Sequence, residues 1–161
     1  MLARRSLFAV AMGAVSVMAL SVGAYAQETI KIGLLATLEG PFAAGGQDGM
    51  RGAELAVKER NGMVAGKKIE ILKASSDAKP DVAVNATRKL VEQDKVQIMV
   101  GPLSGSEGIA VKDYSKSQPD VTFINGSSGA QATTLVNPSA NFFRFNTDGG
   151  QWMVGLGNYA A

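Results

Sequence analysis

The side chains able to do chemistry in this chain are hydroxyls, carboxylates and lysines, because it contains no cysteine and no histidine. The absence of Cys removes disulfides, thiol nucleophiles and zinc–thiolate sites. The absence of His removes the imidazole base, the Ser-His-Asp triad and His-ligated metal. Serine and glycine gather in two segments, Gly101-Pro102-Leu103-Ser104-Gly105-Ser106 and Asn125-Gly126-Ser127-Ser128-Gly129. Gly lets a backbone approach a ligand closely, and Ser supplies a compact donor and acceptor. The same residues also serve simply to make turns. Ser104 has no imidazole to activate it, and no Lys or carboxylate stands at an offset that makes a dyad, so turnover is not expected. Neither segment has the glycine spacing of a dinucleotide fingerprint or the Gly-Lys-Ser/Thr ending of a P-loop. Backbone N–H groups near Gly105 and Ser106 open a predicted helix, and a helix start favours an anion such as a carboxylate. Ser104 or Ser106 can cap that helix, with Glu107 in its first turn. Capping and ligand contact are compatible, since a cap uses one lone pair of the hydroxyl.

The elements that must hold these segments follow from apolar periodicity. Short apolar runs predict strands at 30–35, 69–72, 96–100 and 121–124, with a fifth at 142–145 after a long irregular connection. Helical spacing begins near Met50, where Met50, Ala53, Ala56 and Val57 share a face, and Asn61-Gly62 ends it. A second helix opens at Ser76-Asp77 and Pro80 and runs to about Asp94. A third starts near Ser106. Strands alternating with helices predict an α/β fold, doubly wound on a parallel sheet with right-handed crossovers. Ligands of such sheets sit beyond the carboxyl ends of the strands, which here carry residues 39–46, 75–79, 101–106 and 125–129. Asp77 reads as a turn and cap residue, Lys67-Lys68 as surface charge, and Arg144 as facing water or an interlobe contact.

The chain has 161 residues, 46% of them apolar, which suits one domain. A net charge of +2 and the lack of a basic stripe do not describe a nucleic-acid binder. Arg4 and Arg5 precede an apolar stretch at 7–20, and Ala24-Tyr25-Ala26 fits a small-x-small cleavage rule. This predicts a signal peptide over 1–26, with Gln27 the first mature residue. A membrane anchor is the rival reading, since 7–26 could just span a bilayer, but Gly13, Ser16, Ser21 and Gly23 weaken it. The mature chain is then expected to be soluble, exported and of zero net charge.

With these residues in view, the sequence resembles the branched-chain amino-acid-binding proteins, the type I periplasmic solute-binding subunits of ABC importers. The resemblance is carried by Ile30-Lys31-Ile32-Gly33, Leu38-Glu39-Gly40-Pro41, Gly49 with Gly52-Ala53-Glu54-Leu55-Ala56, and the two Ser/Gly segments. It implies a two-lobed clamshell that binds a small carboxylate, such as an amino acid, in the periplasm and passes it to a membrane ABC permease. It implies no cofactor or metal, and a monomer at full length. Position by position, it assigns ligand contacts to Leu103, Ser104, Gly105 and Ser106, to Gly126, Ser127 and Ser128, and to Phe42 in the first loop. The family usually offers a Ser at the position of Gly105, so a hydroxyl there must come from Ser104 or Ser106. Amino-acid binders often place an aromatic near Gly45. The glycines here hollow the pocket, and 141–145 resembles relatives that carry aromatic acids. The family is more than twice this length. The resemblance therefore divides the chain into a signal peptide (1–26), an N-terminal ligand-binding lobe (27–146) and a truncated start of a second lobe (147–161). A sensor lobe of a receptor is the other use of this architecture.

Overall fold

β1 (Thr29–Thr37) is the strand around which the molecule is built, pairing in parallel with β3 (Lys67–Ser76) on one side and β4 (Ile98–Val100) on the other. The structure, a computed structural model, describes residues 28–160. The expected signal peptide lies outside the described residues. The chain runs from β1 through a 3-10 turn (Gly40–Phe42) into α1 (Ala43–Glu59), then the hairpin of β2 (Met63–Val64) and β3. α2 (Pro80–Arg88) continues as a π-helical turn to Gln93. β4, α3 (Gly105–Ser115), β5 (Thr122–Asn125), α4 (Ala132–Leu135) and β6 (Phe142–Arg144) follow, and α5 (Gly149–Trp152) and α6 (Leu156–Ala160) close the described chain. The six-stranded sheet has the order β2-β3-β1-β4-β5-β6, and only the β2–β3 pair is antiparallel.

Alternation along β1 explains the double winding. Leu34 and Ala36 point to one face, where they meet Met50 of α1. Leu35, between them, points to the other face and joins Ala83, Leu90, Val91, Val96, Met99, Val111, Phe123 and Phe142 under α2 and α3. A strand buried on both faces must be apolar at consecutive positions, which is why residues 34–36 show no polar alternation. The parallel order reverses direction between β1 and β4. That is a topological switch point, where the loops leaving neighbouring strands part and leave a crevice.

The expected α/β fold is the observed one, with differences in detail. α1 begins at Ala43 rather than near Met50, since Gly45 and Gly46 are held within the helix. The turn at Ala65-Gly66, both with positive φ, builds the antiparallel strand β2, which the two-residue apolar pair Met63-Val64 was too short to announce. The long connection before β6 contains α4, and the last apolar segment forms two short helices. β6 lies at the sheet edge, and Phe143, Phe145, Trp152, Met153 and Val154 are exposed. Among the described residues no helix is long and apolar enough to cross a membrane.

Candidate functional site

The loops leaving β1, β3, β4 and β5 share the carboxyl edge of the sheet, and glycine sets how closely they come. Gly101 has φ +117°, and a Cβ there would lie 2.1 Å from the Leu35 carbonyl oxygen. At Gly46 a Cβ would lie 1.9 Å from the Thr37 carbonyl oxygen. Both positions demand glycine, and both seat a loop directly on the end of β1.

The turn after β4 is ordered by a reciprocal cap. Ser104 Oγ accepts from the Glu107 N–H at 3.4 Å, and Glu107 Oε2 accepts from the Ser104 N–H at 3.3 Å. This leaves the first amides of α3, those of Gly105 and Ser106, at the helix mouth, where orphan donors favour an anion. Ser106 is exposed, and its hydroxyl donates to the Ala78 carbonyl oxygen at 3.4 Å, tying this turn to the one after β3.

The turn after β5 is ordered by asparagines. Asn125 Oδ1 accepts from the Ser127 and Ser128 N–H groups at 3.2 and 2.8 Å, and its Nδ2 donates to the Ser128 carbonyl oxygen at 3.0 Å. Asn146 Nδ2 donates to the Ser127 and Ser128 carbonyl oxygens at 3.3 and 3.2 Å. The Ser127 and Ser128 amides are therefore spent on Asn125, and the donors this turn keeps include the hydroxyls of Ser127, exposed on the cleft wall, and of Ser128. Ser128 is fully buried, and its Oγ has no hydrogen-bond partner. It lies against Gly108 of α3, where a Cβ would come within 2.3 Å of that Oγ. The two turns thus meet on one rim, with Ser128 beside the first turn of α3 and Ala130 beside Gly105.

Between α1 and these turns lies an open cleft of about 470 Å³, solvent space included, lined by Leu34, Ala36, Gly45, Gly49, Val100, Leu103, Gly126 and Ser127 among others. Of the residues expected to touch a ligand, Leu103, Gly126 and Ser127 line it. Ser104, Gly105, Ser106 and Ser128 build the adjoining turns. Phe42 sits in the 3-10 turn before α1, 48% exposed and away from the cleft wall. Among the described residues no group of three or more His, Cys, Asp or Glu could hold a metal ion.

Charged residues near the rim are mostly internal fasteners. Asp77 accepts from the Lys79 backbone N–H at 3.1 Å and pairs with its ammonium, as a turn residue does. That contact lowers the Asp77 pKa and raises that of Lys79. Arg144 departs from one of the two readings its sequence offered. It does not face water: its side chain is 9% exposed and pairs with Asp148 at 3.4 Å, while donating to the Ala130 carbonyl oxygen at 3.2 Å. The β5–β6 register buries it under the 126–130 turn. The Asp148 carboxyl is held below its usual pKa, first by the Gln151 backbone N–H, then by Gln131 and Arg144. Sequence reasoning also missed the structural weight of Glu107, Asn125 and Asn146. The Ser-x-x-Glu spacing of a capping box marks Glu107, and an Asn two and three residues before turn amides marks Asn125. Nothing local marks Asn146, whose contacts with the Ser127 and Ser128 carbonyls are long-range.

A crevice at the switch point, with serine turns facing a helix mouth, is the arrangement of a binding lobe. A family model described as "Periplasmic binding protein" matches residues 29–161. The chain belongs to the periplasmic binding protein family. It is 36% identical over 99 residues to the Leu/Ile/Val-binding protein BraC3 of Rhizobium johnstonii, a match covering 60% of this chain and 27% of that protein. Among solved structures it superposes on an ABC transporter substrate-binding protein from Sphaerobacter thermophilus with TM-score 0.73 and 32% identity, covering 83% of this chain and 36% of that one. A solute binding protein of an ABC transporter from Rhodopseudomonas palustris BisB5, in complex with 3,4-dihydroxybenzoic acid, matches with TM-score 0.73 and 26% identity, covering 82% and 36%. The fold is that of one lobe of these binding proteins. The chain spans about a quarter to about a third of the length of the proteins it matches.

Proposed function

We propose that this chain is the carboxylate-gripping lobe of an ABC-importer solute-binding protein, capturing a small carboxylate such as a branched-chain or other amino acid. One observation carries the reading. The turn that opens α3 and the turn that holds the buried, unpartnered Ser128 hydroxyl pack together at the switch point, Ser128 against Gly108 and Ala130 against Gly105. A carboxylate oxygen accepts strongly from such donors, and a buried hydroxyl without a partner gains most from receiving one. The sequence similarity to a Leu/Ile/Val-binding protein supports the amino-acid class. In this reading residues 1–26 direct export to the periplasm, 27–146 form the lobe, and 147–161 lead toward a second lobe. The partners are the ligand and a membrane permease, and the whole protein acts as a monomer. The lobe binds without chemistry.

A second reading has its own observation. The cleft wall at Gly49 is open, with no atom within 4 Å of a Cβ built there, while at Gly45 the nearest atom is Leu103 Cδ2 at 3.5 Å. An apolar crevice of that kind accepts a flat ring, and a similar protein is solved with 3,4-dihydroxybenzoic acid. Calorimetric titration with the branched-chain amino acids and with benzoate-type acids tests both. Heat from the amino acids alone supports the first, heat from the aromatic acids alone supports the second, and silence from all of them overturns the carboxylate class.

A further inference from the structure

We propose that Glu107 is the positioning residue of the binding rim: it fixes the Ser104–Ser106 turn relative to β1 so that the helix-mouth amides face the ligand. This rests on the carboxylate reading above. Glu107 is fully buried, which a first-turn helix cap has no need to be. An exposed Glu at the same position closes the same capping box without the cost of taking a carboxylate out of water.

What burial adds is reach. Glu107 Oε2 accepts from Thr37 Oγ1 at 3.0 Å as well as from the Ser104 N–H at 3.3 Å. Thr37 is itself fully buried and receives Ser76 Oγ at 3.3 Å. The Thr37 carbonyl is the group on which Gly46 of α1 is seated. One carboxylate oxygen therefore ties the turn after β4 to the ends of β1 and β3, and through Thr37 to the start of α1. The other oxygen, Oε1, is buried with no hydrogen-bond partner. An unpartnered buried carboxylate oxygen is a poor stabiliser. The arrangement gives geometry rather than stability, which is the mark of a group that holds a site in place.

The test uses the full chain with Glu107→Leu, Glu107→Gln and, as a control one helical turn on, Val111→Ala, a buried apolar truncation in the same helix. Two readouts are taken: hydrogen exchange of the Ser104 and Glu107 amides, which needs no ligand, and the affinity for L-leucine and 3,4-dihydroxybenzoate as probes. Glu107→Leu is expected to speed exchange at those amides and to weaken the bound probe at least tenfold. Glu107→Gln keeps an acceptor for Ser104 and Thr37 and is expected to restore most of both. Val111→Ala should lower the melting temperature and leave affinity within about twofold, since it touches no rim group. Unchanged exchange in Glu107→Leu, or an equal affinity loss in Val111→Ala, overturns the proposal. Failure of the unsubstituted chain to bind either probe counts instead against the carboxylate reading, because the exchange result stands apart from it.

Discussion

Asn125 and Ser128 hold each other in a two-way ring: the Asn125 amide accepts from the Ser128 N–H at 2.8 Å and donates to the Ser128 carbonyl oxygen at 3.0 Å. The ring turns the chain sharply as it leaves β5 and sends the Ser128 hydroxyl toward α3. Asn125 is fully buried, so its side chain has no water to fall back on. Asn125→Ala leaves the buried Ser128 amide and the part-buried Ser127 amide without their acceptor, while Asn146 still donates to the Ser128 carbonyl, and should cost about 1–3 kcal/mol of stability. Asn125→Asp keeps the acceptor and loses the donor, placing carboxylate oxygen against a carbonyl, and should fall between. Urea unfolding of the two variants checks the order.

The rim glycines divide by what a Cβ would meet. Gly101→Ala and Gly46→Ala drive a methyl into the Leu35 and Thr37 carbonyl oxygens, and Gly101 adds a positive φ. Each should destabilise by more than the ~1 kcal/mol that a compatible Gly→Ala change gains. Gly49→Ala meets nothing within 4 Å inside a helix, and should stabilise by about 0.5–1 kcal/mol. The same methyl narrows the cleft, so the affinity for an aromatic acid should drop as stability rises. Equilibrium unfolding and titration on the same samples separate the two effects.

These contrasts show which parts of the molecule local sequence could convey. The strands were legible because β1, β3 and β4 are apolar runs bounded by glycine and polar turns, and periodicity reports burial directly. The serine turns were legible by composition and by their place after strands. The roles inside them were not. Ser127 and Ser128 look alike in sequence. Ser127 lines the cleft, while Ser128 is buried against Gly108, because a helix with a glycine at that point runs past one and not the other. Arg144 looked like a surface residue since its neighbours Phe143 and Phe145 alternate with it. Its burial depends on Asp148 and the Ala130 carbonyl, contacts that exist only after β5 and β6 pair. Glu107 is the same case over a longer separation: its cap lies three residues away, its partner Thr37 seventy.

Asp148 makes stability depend on acid. Its carboxylate caps α5 through the Gln151 N–H at 2.9 Å, accepts from Gln131 at 3.2 Å and pairs with Arg144. Its folded pKa lies below the unfolded one. The stabilisation is therefore complete above the ordinary aspartate value of about 3.9 and is lost as pH falls through the lowered folded value. Asp148→Asn should melt lower than the parent at pH 7, and the difference should shrink as pH drops below about 4. Melting curves across that range test it, and a constant difference would argue that the charge plays no part.

Tyr114 sets a limit at the alkaline end. Its ring packs edge-on to Phe123 with centroids 6.3 Å apart, and its hydroxyl donates to Glu92 at 3.0 Å. Burial, and then the neighbouring carboxylate, push its pKa up to about 12. The folded state holds that proton more tightly than the unfolded chain, so the contribution is full below about 10 and disappears as pH rises toward 12. Ultraviolet titration should show a tyrosine step near pH 12, and Tyr114→Phe should remove it.

Ser128→Ala separates folding from binding. The hydroxyl is buried without a partner, so its removal takes no hydrogen bond from the folded lobe and relieves an unsatisfied group. The melting temperature should hold or rise slightly. If a ligand carboxylate accepts from that hydroxyl, the same change should weaken binding by about 1–3 kcal/mol, with Ser127→Ala, on the cleft wall and already tied through its backbone, costing less. A buried residue whose loss leaves the fold intact and the ligand loose is acting on the ligand. Equal affinity for parent and Ser128→Ala, with both folded, would take this turn out of the grip and leave the mouth of α3 as its centre.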